Sequence, residues 1–239
     1  MSDEFNLSGY CKLLRAFIES GYTSRSFQDA EPDSPHLILR HDLDFSLHLA
    51  EGVAEIENEL GCSATYFVLT TSDFYNVRSP ASVAALHRLQ ALGHTIGLHF
   101  DPMSHGGDQH DLRSRIERDA DVLSGILGGP PLDTVSFHRP GERTSDVGQS
   151  FPGFVNAYEP KFFQNMGYCS DSRGRWRYQH PLDHPAVRDR RALQLLTHPI
   201  WWTVEGADAT DKLRNFASGV AQATLERIRE NTVQEIAPL

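Results

Sequence analysis

Cysteines, long apolar runs and positive charges are scarce in this sequence, and the scarcity of each argues against a class of protein. The 239 residues contain three cysteines, Cys11, Cys62 and Cys169, and no two of them form a CxxC pair. Separated cysteines in odd number, each within ordinary helix or strand sequence, indicate buried thiols in a reducing compartment rather than a disulfide framework. No apolar run approaches the roughly 18–20 residues that a membrane helix needs, so we expect no membrane span.

Positive charge is scarce as well. The chain has 22 Lys and Arg residues against 32 Asp and Glu residues, which gives a formal net charge of −10. Nucleic acids and anionic membrane surfaces attract basic proteins, so neither is expected as the main partner. The segment MSDEFNLSGY (1–10) is acidic and has neither a basic n-region nor an apolar h-region. It therefore shows no secretory signal, and we expect a cytoplasmic protein.

Segments of strand-like and helix-like sequence alternate along the chain. Strands are predicted at residues 37–44, 63–70, 95–100, 134–137, 167–170 and 192–197. Helices are predicted at 7–20, 47–60, 82–92, 112–127, 160–166 and 210–230. The alternation predicts an α/β protein with a parallel sheet, either open or closed into a barrel. No break in composition suggests a linker, so we expect one domain over residues 1–239.

The segment PHLILRHDLDFS (35–46) is the most informative stretch. Its apolar run Leu37–Leu39 is typical of a strand buried on both faces, and it leads into His41, Asp42 and Asp44. Carboxylates at positions i and i+2 of an extended chain point to the same side. Asp42 and Asp44 therefore converge just beyond the strand, where α/β proteins bind ligands and metals. One Asp at such a junction is often only a helix N-cap, but two of them after a His favour a site.

Other predicted strands also end in polar residues. These residues are His99, Asp101, His138, Arg139, Asp171 and His198. The carboxyl ends of parallel strands gather at one face of a barrel, as in barrel enzymes. A mixed set of carboxylates and imidazoles suits zinc, iron, cobalt, nickel or manganese rather than calcium. Each residue alone also has an ordinary structural explanation, as a core imidazole, a surface cation or a strand terminus.

These polar residues allow a hydrolytic site to be sketched. Asp44, His99 and one further ligand are predicted to hold a divalent metal. Asp42 is the predicted base that takes a proton from water. His198 is the predicted acid towards the leaving group. The remaining catalytic candidate is Arg139, which is predicted to pair with Asp171 or to orient Asp42.

Substrate-binding residues are predicted around this site. Aromatic side chains offer flat apolar faces to a sugar ring. Together with His138, the candidates are Tyr75, Trp176 and Trp202. Trp201 precedes Trp202, and because adjacent strand residues face opposite ways, at least one of the two is expected to pack in the core.

The motifs, taken in order, resemble those of the polysaccharide deacetylase (NodB-homology) family. The matching segments are RHDLD (40–44), ATYF (64–67), GHTIGLH (93–99), FHRPG (137–141), SDSRGRW (170–176) and LLTHP (195–199). The resemblance covers residues 36–202. It implies a distorted (β/α)7-type barrel and metal-dependent hydrolysis of an N-acetyl or O-acetyl group on a carbohydrate.

The resemblance also implies a role for one residue or more in most motifs. The base Asp and the metal-binding Asp of the first motif fall on Asp42 and Asp44. The first metal-binding His of the family falls on His99, at the end of GHTIGLH. The later roles, an Arg, an Asp and an acid His, fall on Arg139, Asp171 and His198.

The sequence departs from the family pattern at the second metal-binding His. That position, four residues after His99, is Met103, and a thioether is a poor ligand for such ions. His105 and Asp101 are the predicted replacements. His105 is slightly favoured because it keeps an imidazole and lies in a Gly-flanked loop. The expected cofactor is a divalent transition metal, with zinc as the first choice.

Three functions are compatible with these residues. The first is a cytoplasmic deacetylase that removes an acyl group from a small carbohydrate or from a lipid- or nucleotide-linked amino sugar. The second is a metal-dependent amidase that acts on a non-sugar substrate. The third is a non-catalytic sugar-binding relic that lost its metal with the change at Met103. Retention of Asp42, Asp44, His99 and His198 favours an enzyme that hydrolyses carbon–nitrogen bonds.

Overall fold

The computed structural model describes residues 5–104, 112–140 and 147–232. Within these ranges, eight strands form one sheet. They are β1 (Thr23–Ser24), β2 (His36–Leu43), β3 (Ala64–Val68), β4 (Thr95–Phe100), β5 (Thr134–Phe137), β6 (Val155–Asn156), β7 (Gly167–Ser170) and β8 (Leu193–Thr197). The order is β6-β5-β4-β3-β2-β8-β7, and β1 pairs with β2. Every pairing of these strands is parallel, which confirms the predicted parallel sheet.

Helices connect the strands. They are α1 (Leu7–Glu19), α2 (Glu51–Glu59), α3 (Pro80–Ala91), α4 (Leu112–Leu127), α5 (Pro160–Phe163), α6 (Pro185–Arg188), α7 (Pro199–Thr203) and α8 (Ala209–Asn231). One-turn 3-10 helices occupy His48–Ala50 and Pro181–Asp183. Among the described helices, none combines the length and the apolar character that crossing a membrane requires.

The sheet curls into an incomplete barrel. Strands β6 and β7 lie at its two ends, yet only a short segment containing α5 separates them in the sequence. The side-chain amide of Gln194, on β8, donates to the carbonyls of Ala157 at 3.2 Å and Phe162 at 3.0 Å in this segment. The segment therefore fills the gap between β6 and β7. The structure confirms the predicted distorted barrel.

The two faces of each strand bury different apolar clusters. On β2, Leu37 and Leu39 point outwards into the large cluster shared with the helices. Ile38 points the other way, into a smaller cluster that also contains Phe67 of β3. Arg40 shares the inner face with Ile38 because side chains on a strand alternate with a period of two. The barrel interior thus combines a small apolar core with polar groups that lead towards the carboxyl ends of the strands.

The adjacent tryptophans lie in a helix, and the strand geometry predicted for them is wrong. Pro199 begins α7, because its fixed φ and missing N–H are well tolerated at the first helical position. Trp201 and Trp202 are both buried, with 6% and 3% exposure. The indole ring of Trp202 packs against Tyr10 of α1, with ring centroids 5.3 Å apart. Helical geometry therefore lets both side chains enter the core.

Candidate active site

Three side chains at the carboxyl ends of strands form a compact group. Asp44 follows β2, His99 is near the end of β4, and His138 follows β5. One ligand atom from each lies within 4.8 Å of the others. Oδ1 of Asp44 is 3.2 Å from Nε2 of His99 and 3.3 Å from Nδ1 of His138. The two imidazole nitrogens are 3.2 Å apart.

The chemistry of this group fits a divalent cation. Oδ1 of Asp44 is buried and has no hydrogen-bond partner, an exceptional state for a buried carboxylate oxygen. Burial works to raise the pKa of Asp44, but the imidazoles of His138 and His99 hold that pKa well below its ordinary value. The carboxylate is therefore ionised at neutral pH, as a metal ligand must be.

A hydroxyl orients the first imidazole. Nδ1 of His99 lies 2.7 Å from Oγ of Ser136 on the neighbouring strand β5. When Nδ1–H donates to this oxygen, the lone pair of Nε2 is directed towards Asp44 and is free to bind a cation. The contact with Ser136 is compatible with the tautomer that a metal ligand needs.

Asp42 lies beside the metal-binding group and is held by a guanidinium. Its Oδ2 is 3.6 Å from Nε2 of His99. Arg40 donates to both carboxylate oxygens, from Nε at 2.9 Å and from Nη2 at 2.8 Å. Arg40 is fully buried and also donates to Gln194 at 3.3 Å and to the hydroxyl of Tyr158 at 3.1 Å. Burial works to raise the pKa of Asp42, but Arg40 lowers it below the ordinary value.

His198 lies on the other side of Asp44. Its Nε2 is 3.9 Å from Oδ2 of Asp44, and its Nδ1 is 2.6 Å from Oδ1 of Asp171. Oδ2 of Asp171 accepts the backbone N–H of His198 at 2.9 Å and the indole N–H of Trp202 at 2.8 Å. Burial works to lower the pKa of His198, but Asp171 outweighs it and raises the pKa to about 9. The imidazole is therefore protonated at neutral pH and can donate a proton.

Asp101, one of the two predicted replacements for the missing ligand, does not join the group. Oδ1 of Asp101 accepts the backbone N–H of Met103 at 2.8 Å and so stabilises its own loop. His105 lies outside the described residues. The third side chain is instead His138, which the sequence analysis assigned to substrate binding. The register explains this, because His99 pairs with Ser136, and His138 follows two residues later on the same face.

Arg139 does not make the pairings predicted for it within the described residues. The guanidinium on Asp42 belongs to Arg40, and Asp171 is bonded to an imidazole, an indole and a backbone N–H. Arg139 itself is exposed. Sequence reasoning missed Arg40, although its position two residues before Asp42 on a strand was a usable signal.

The aromatic residues predicted to bind substrate are largely used by the scaffold. The hydroxyl of Tyr75 donates to the carbonyl of Leu43 at 2.8 Å and accepts the N–H of Leu69 at 3.0 Å. Trp202 is buried and holds the carboxylate beside the acid imidazole. Trp176 is half-buried and packs on Trp202, with ring centroids 5.8 Å apart. Of the three, Trp176 is the best placed to offer part of a ring face.

Comparisons with known proteins were made at the levels of sequence and structure. No protein-family model matches the sequence, and no curated protein matches it. A solved family 4 carbohydrate esterase from Bacillus anthracis is 16% identical, covers 91% of this chain and 86% of its own, and has a TM-score of 0.46. The chitin deacetylase from the fungal pathogen Colletotrichum lindemuthianum is 15% identical, with 82% and 86% covered and a TM-score of 0.46.

A CE4 family pseudoenzyme from Bacillus anthracis is 12% identical, with 81% of this chain and 63% of the other covered and a TM-score of 0.42. With identities of 12–16% and TM-scores of 0.42–0.46, these similarities assign no activity to the chain, and its function is inferred from the site itself.

Proposed function

We propose that the protein is a metal-dependent hydrolase that removes an acyl group, in the first place N-acetyl, from a carbohydrate or sugar-linked substrate. The observation that carries the proposal is the buried, unpartnered Oδ1 of Asp44 between the imidazoles of His99 and His138. Buried polar atoms are nearly always bonded, so this oxygen is suited to bind a cation.

Asp44, His99 and His138 would hold a divalent transition metal, with zinc as the expected ion, because carboxylate and imidazole are its usual ligands. When bound, such an ion supplies Lewis-acid polarisation of the acyl carbonyl and of water.

The flanking residues supply the proton transfers. Asp42 accepts a proton from the attacking water, and Arg40 keeps its carboxylate oriented and ionised. The water oxygen adds to the acyl carbon, and the bond from that carbon to nitrogen then breaks. His198 gives its proton to the departing amine, and Asp171 stabilises the imidazolium before this transfer.

The opposite ionisation of Asp42 and His198 favours an enzyme over a sugar-binding relic. The pKa of Asp42 is lowered and that of His198 is raised, and the two lie on either side of Asp44. A base that is ionised and an acid that is protonated at the same pH are what hydrolysis requires. Sugar binding alone needs neither.

Metal content provides the first test. Protein purified without chelator is expected to contain a near-stoichiometric transition metal by elemental analysis, and His138→Ala and His99→Ala are expected to lose it. Met103→Ala is the matched control, since Met103 is 73% exposed and lies outside the group. If His105→Ala loses the metal and His138→Ala retains it, the third ligand is His105 and not His138.

Acetate release tests the chemistry separately. Asp42→Asn is expected to keep the metal and to lose acetate release from acetylated sugars. Full turnover by this variant would refute the assignment of Asp42 as the base. A metal-loaded wild-type protein that binds acetylated sugars but never hydrolyses them would support a non-catalytic sugar-binding relic.

A further inference from the structure

Within the described residues, the non-glycine residues with left-handed backbone are all arginines. They are Arg139 with φ 46°, Arg173 with φ 66° and Arg190 with φ 59°. Side chains with a Cβ avoid this region because of steric clash, and such strain tends to be retained at functional sites. Each of the three positions therefore needs an explanation.

Arg190 has an explanation within the scaffold. Its guanidinium lies over the ring of Tyr22, 5.6 Å from the centroid, and donates to the backbone carbonyl of Ser20. The side chain therefore ties the loop before β8 to the end of α1. Its backbone strain is offset by contacts inside the protein.

Arg139 and Arg173 have no comparable contacts. Both are exposed, and across the described ranges neither guanidinium makes an ion pair, a hydrogen bond or a ring contact. Arg139 directly follows His138, and Arg173 follows Asp171 by two residues. Both arginines thus lie at the carboxyl-end face of the barrel, next to residues of the candidate active site.

Contacts between the site residues place the two arginines on a common rim. Asp171 bonds to His198, His198 lies 3.9 Å from Asp44, and Asp44 lies 3.3 Å from His138. Among the described residues, Asp44 and Asp171 form ion pairs with histidines and with neither arginine. Both guanidinium groups therefore add positive charge to this face of a chain whose net charge is −10.

We propose that Arg139 and Arg173 bind a phosphate group carried by the acylated sugar substrate, an inference that rests on the proposed function. A phosphate monoester carries a charge of about −1.5 to −2 at neutral pH. This charge balances two guanidinium groups better than the single charge of a carboxylate would. Planar guanidinium donors also suit the oxygens of phosphate. An acidic protein repels an anionic substrate overall, so local cations are needed to bind it.

The test measures binding separately from turnover. Isothermal titration calorimetry compares N-acetylglucosamine 1-phosphate with N-acetylglucosamine, with every variant made in an Asp42→Asn background that prevents hydrolysis. We expect the phosphorylated sugar to bind at least about tenfold more tightly, since charge-assisted hydrogen bonds are added. Arg139→Gln and Arg173→Gln should each reduce this preference, and the double variant should abolish it without changing the affinity for N-acetylglucosamine.

Matched variants control for general charge and for strain. Arg214→Gln removes an exposed arginine of α8 that pairs with Asp211, and it should leave both affinities unchanged. Arg173→Lys keeps the charge and should restore part of the preference that Arg173→Gln loses. Arg173→Gly removes the charge together with the backbone strain, so it should behave like Arg173→Gln.

Two results would overturn the phosphate site. One is equal affinity for the two sugars, and the other is a phosphate preference that survives in the double variant. Tighter binding of N-acetylmuramic acid than of the phosphorylated sugar would also contradict it, in favour of a carboxylate. Arginine-dependent binding without acetate release by the metal-loaded wild type would refute the proposed function alone. If the rate of acetate release is the same with and without the phosphate group, and unchanged in the arginine variants, the phosphate site alone would be refuted.

Discussion

Two groups that each combine a carboxylate with histidines, one around Glu57 and one around Asp44, differ in how completely their polar atoms are bonded. Outside the barrel, Glu57 of α2 accepts hydrogen bonds from Tyr10 at 2.6 Å, from Tyr66 at 2.5 Å and from Nε2 of His41 at 2.7 Å. At the carboxyl-end face, Asp44 sits between two imidazoles with Oδ1 unbonded. The saturated group stabilises the scaffold, and the unsaturated group is prepared for a ligand.

Residue types alone do not distinguish the two groups. Nδ1 of His41 is 2.7 Å from Oγ1 of Thr197, so Thr197, His41 and Glu57 repeat the order of a nucleophile, a base and an acid. All three are buried, with exposures of 0%, 1% and 0%. Without access for a substrate, this arrangement is structural. The side chain of Asp44, by contrast, is 18% exposed and has unsatisfied bonding capacity at Oδ1, and both properties distinguish it from Glu57.

Breaking the saturated group is expected to have the largest effect on stability. Glu57→Gln leaves the hydroxyls of Tyr10 and Tyr66 facing an amide that cannot accept all three bonds. We expect a loss of about 3 kcal/mol in the free energy of unfolding, measured by urea denaturation. Glu55→Gln, which changes an exposed carboxylate of the same helix, should stay within about 0.5 kcal/mol. Equal losses of unfolding free energy in Glu57→Gln and Glu55→Gln would contradict the stabilising role of the group around Glu57.

Changing the unsaturated group should have the opposite profile. Asp44→Asn is expected to abolish acetate release and to remove the thermal stabilisation that added metal gives to the wild type. Without metal, its loss in the free energy of unfolding should be smaller than that of Glu57→Gln, because Oδ1 has no hydrogen-bond partner and the change removes only its attraction to His99 and His138. Thermal melts with and without metal check both statements. A large loss in the metal-free protein would mean that Asp44 is structural.

A smaller effect is expected at the hydroxyl that orients His99. Ser136→Ala removes the partner of Nδ1, and we expect metal affinity to fall by about 10–100-fold, measured by competition with a chelator. Ser218→Ala, in the exposed part of α8, is the matched control. Unchanged affinity in Ser136→Ala would show that the tautomer is set in another way.

The smallest effect is expected at the support of the base. Tyr158→Phe removes one acceptor from Arg40 but leaves both bonds to Asp42. We expect kcat to fall roughly fivefold, an energetic change of about 1 kcal/mol, while KM and metal content stay the same. A change in KM alone would assign Tyr158 to substrate binding instead.

The sequence predicted the parts of the site that depend on local pattern. The alternation of residues on β2 placed Asp42 and Asp44 on one side, and apolar runs ending in polar residues marked the strand ends with His99 and His198. The proximity of His138 to Asp44 and His99, by contrast, depends on which residue of β4 pairs with which residue of β5. That register is a tertiary property and is not encoded in the spacing of either strand alone.

Other features escaped prediction for related reasons. Strand β6 has two residues and no apolar period, so no pattern marks it. Glu57 lies in an amphipathic helix like any other surface glutamate, and its burial becomes visible only when α1, β2 and β3 are assembled around it. Arg139 was predicted to orient Asp42 because of the order of the motifs. In the structure, the guanidinium that contacts Asp42 belongs to Arg40.

The spread of the proposed ligands over three strands has a consequence for folding. A ligand at the position of Met103 would have shared a loop with His99, and it would have added only a short closed loop to the long one between Asp44 and His99. Asp44, His99 and His138 come from strands far apart in the sequence, so an ion bound by all three cross-links long loops and restricts the unfolded chain. The ion can be fully bound only after β5 has docked beside β4. Metal binding would therefore report on completion of the barrel, and the apoprotein would be the form in which that edge of the sheet opens first.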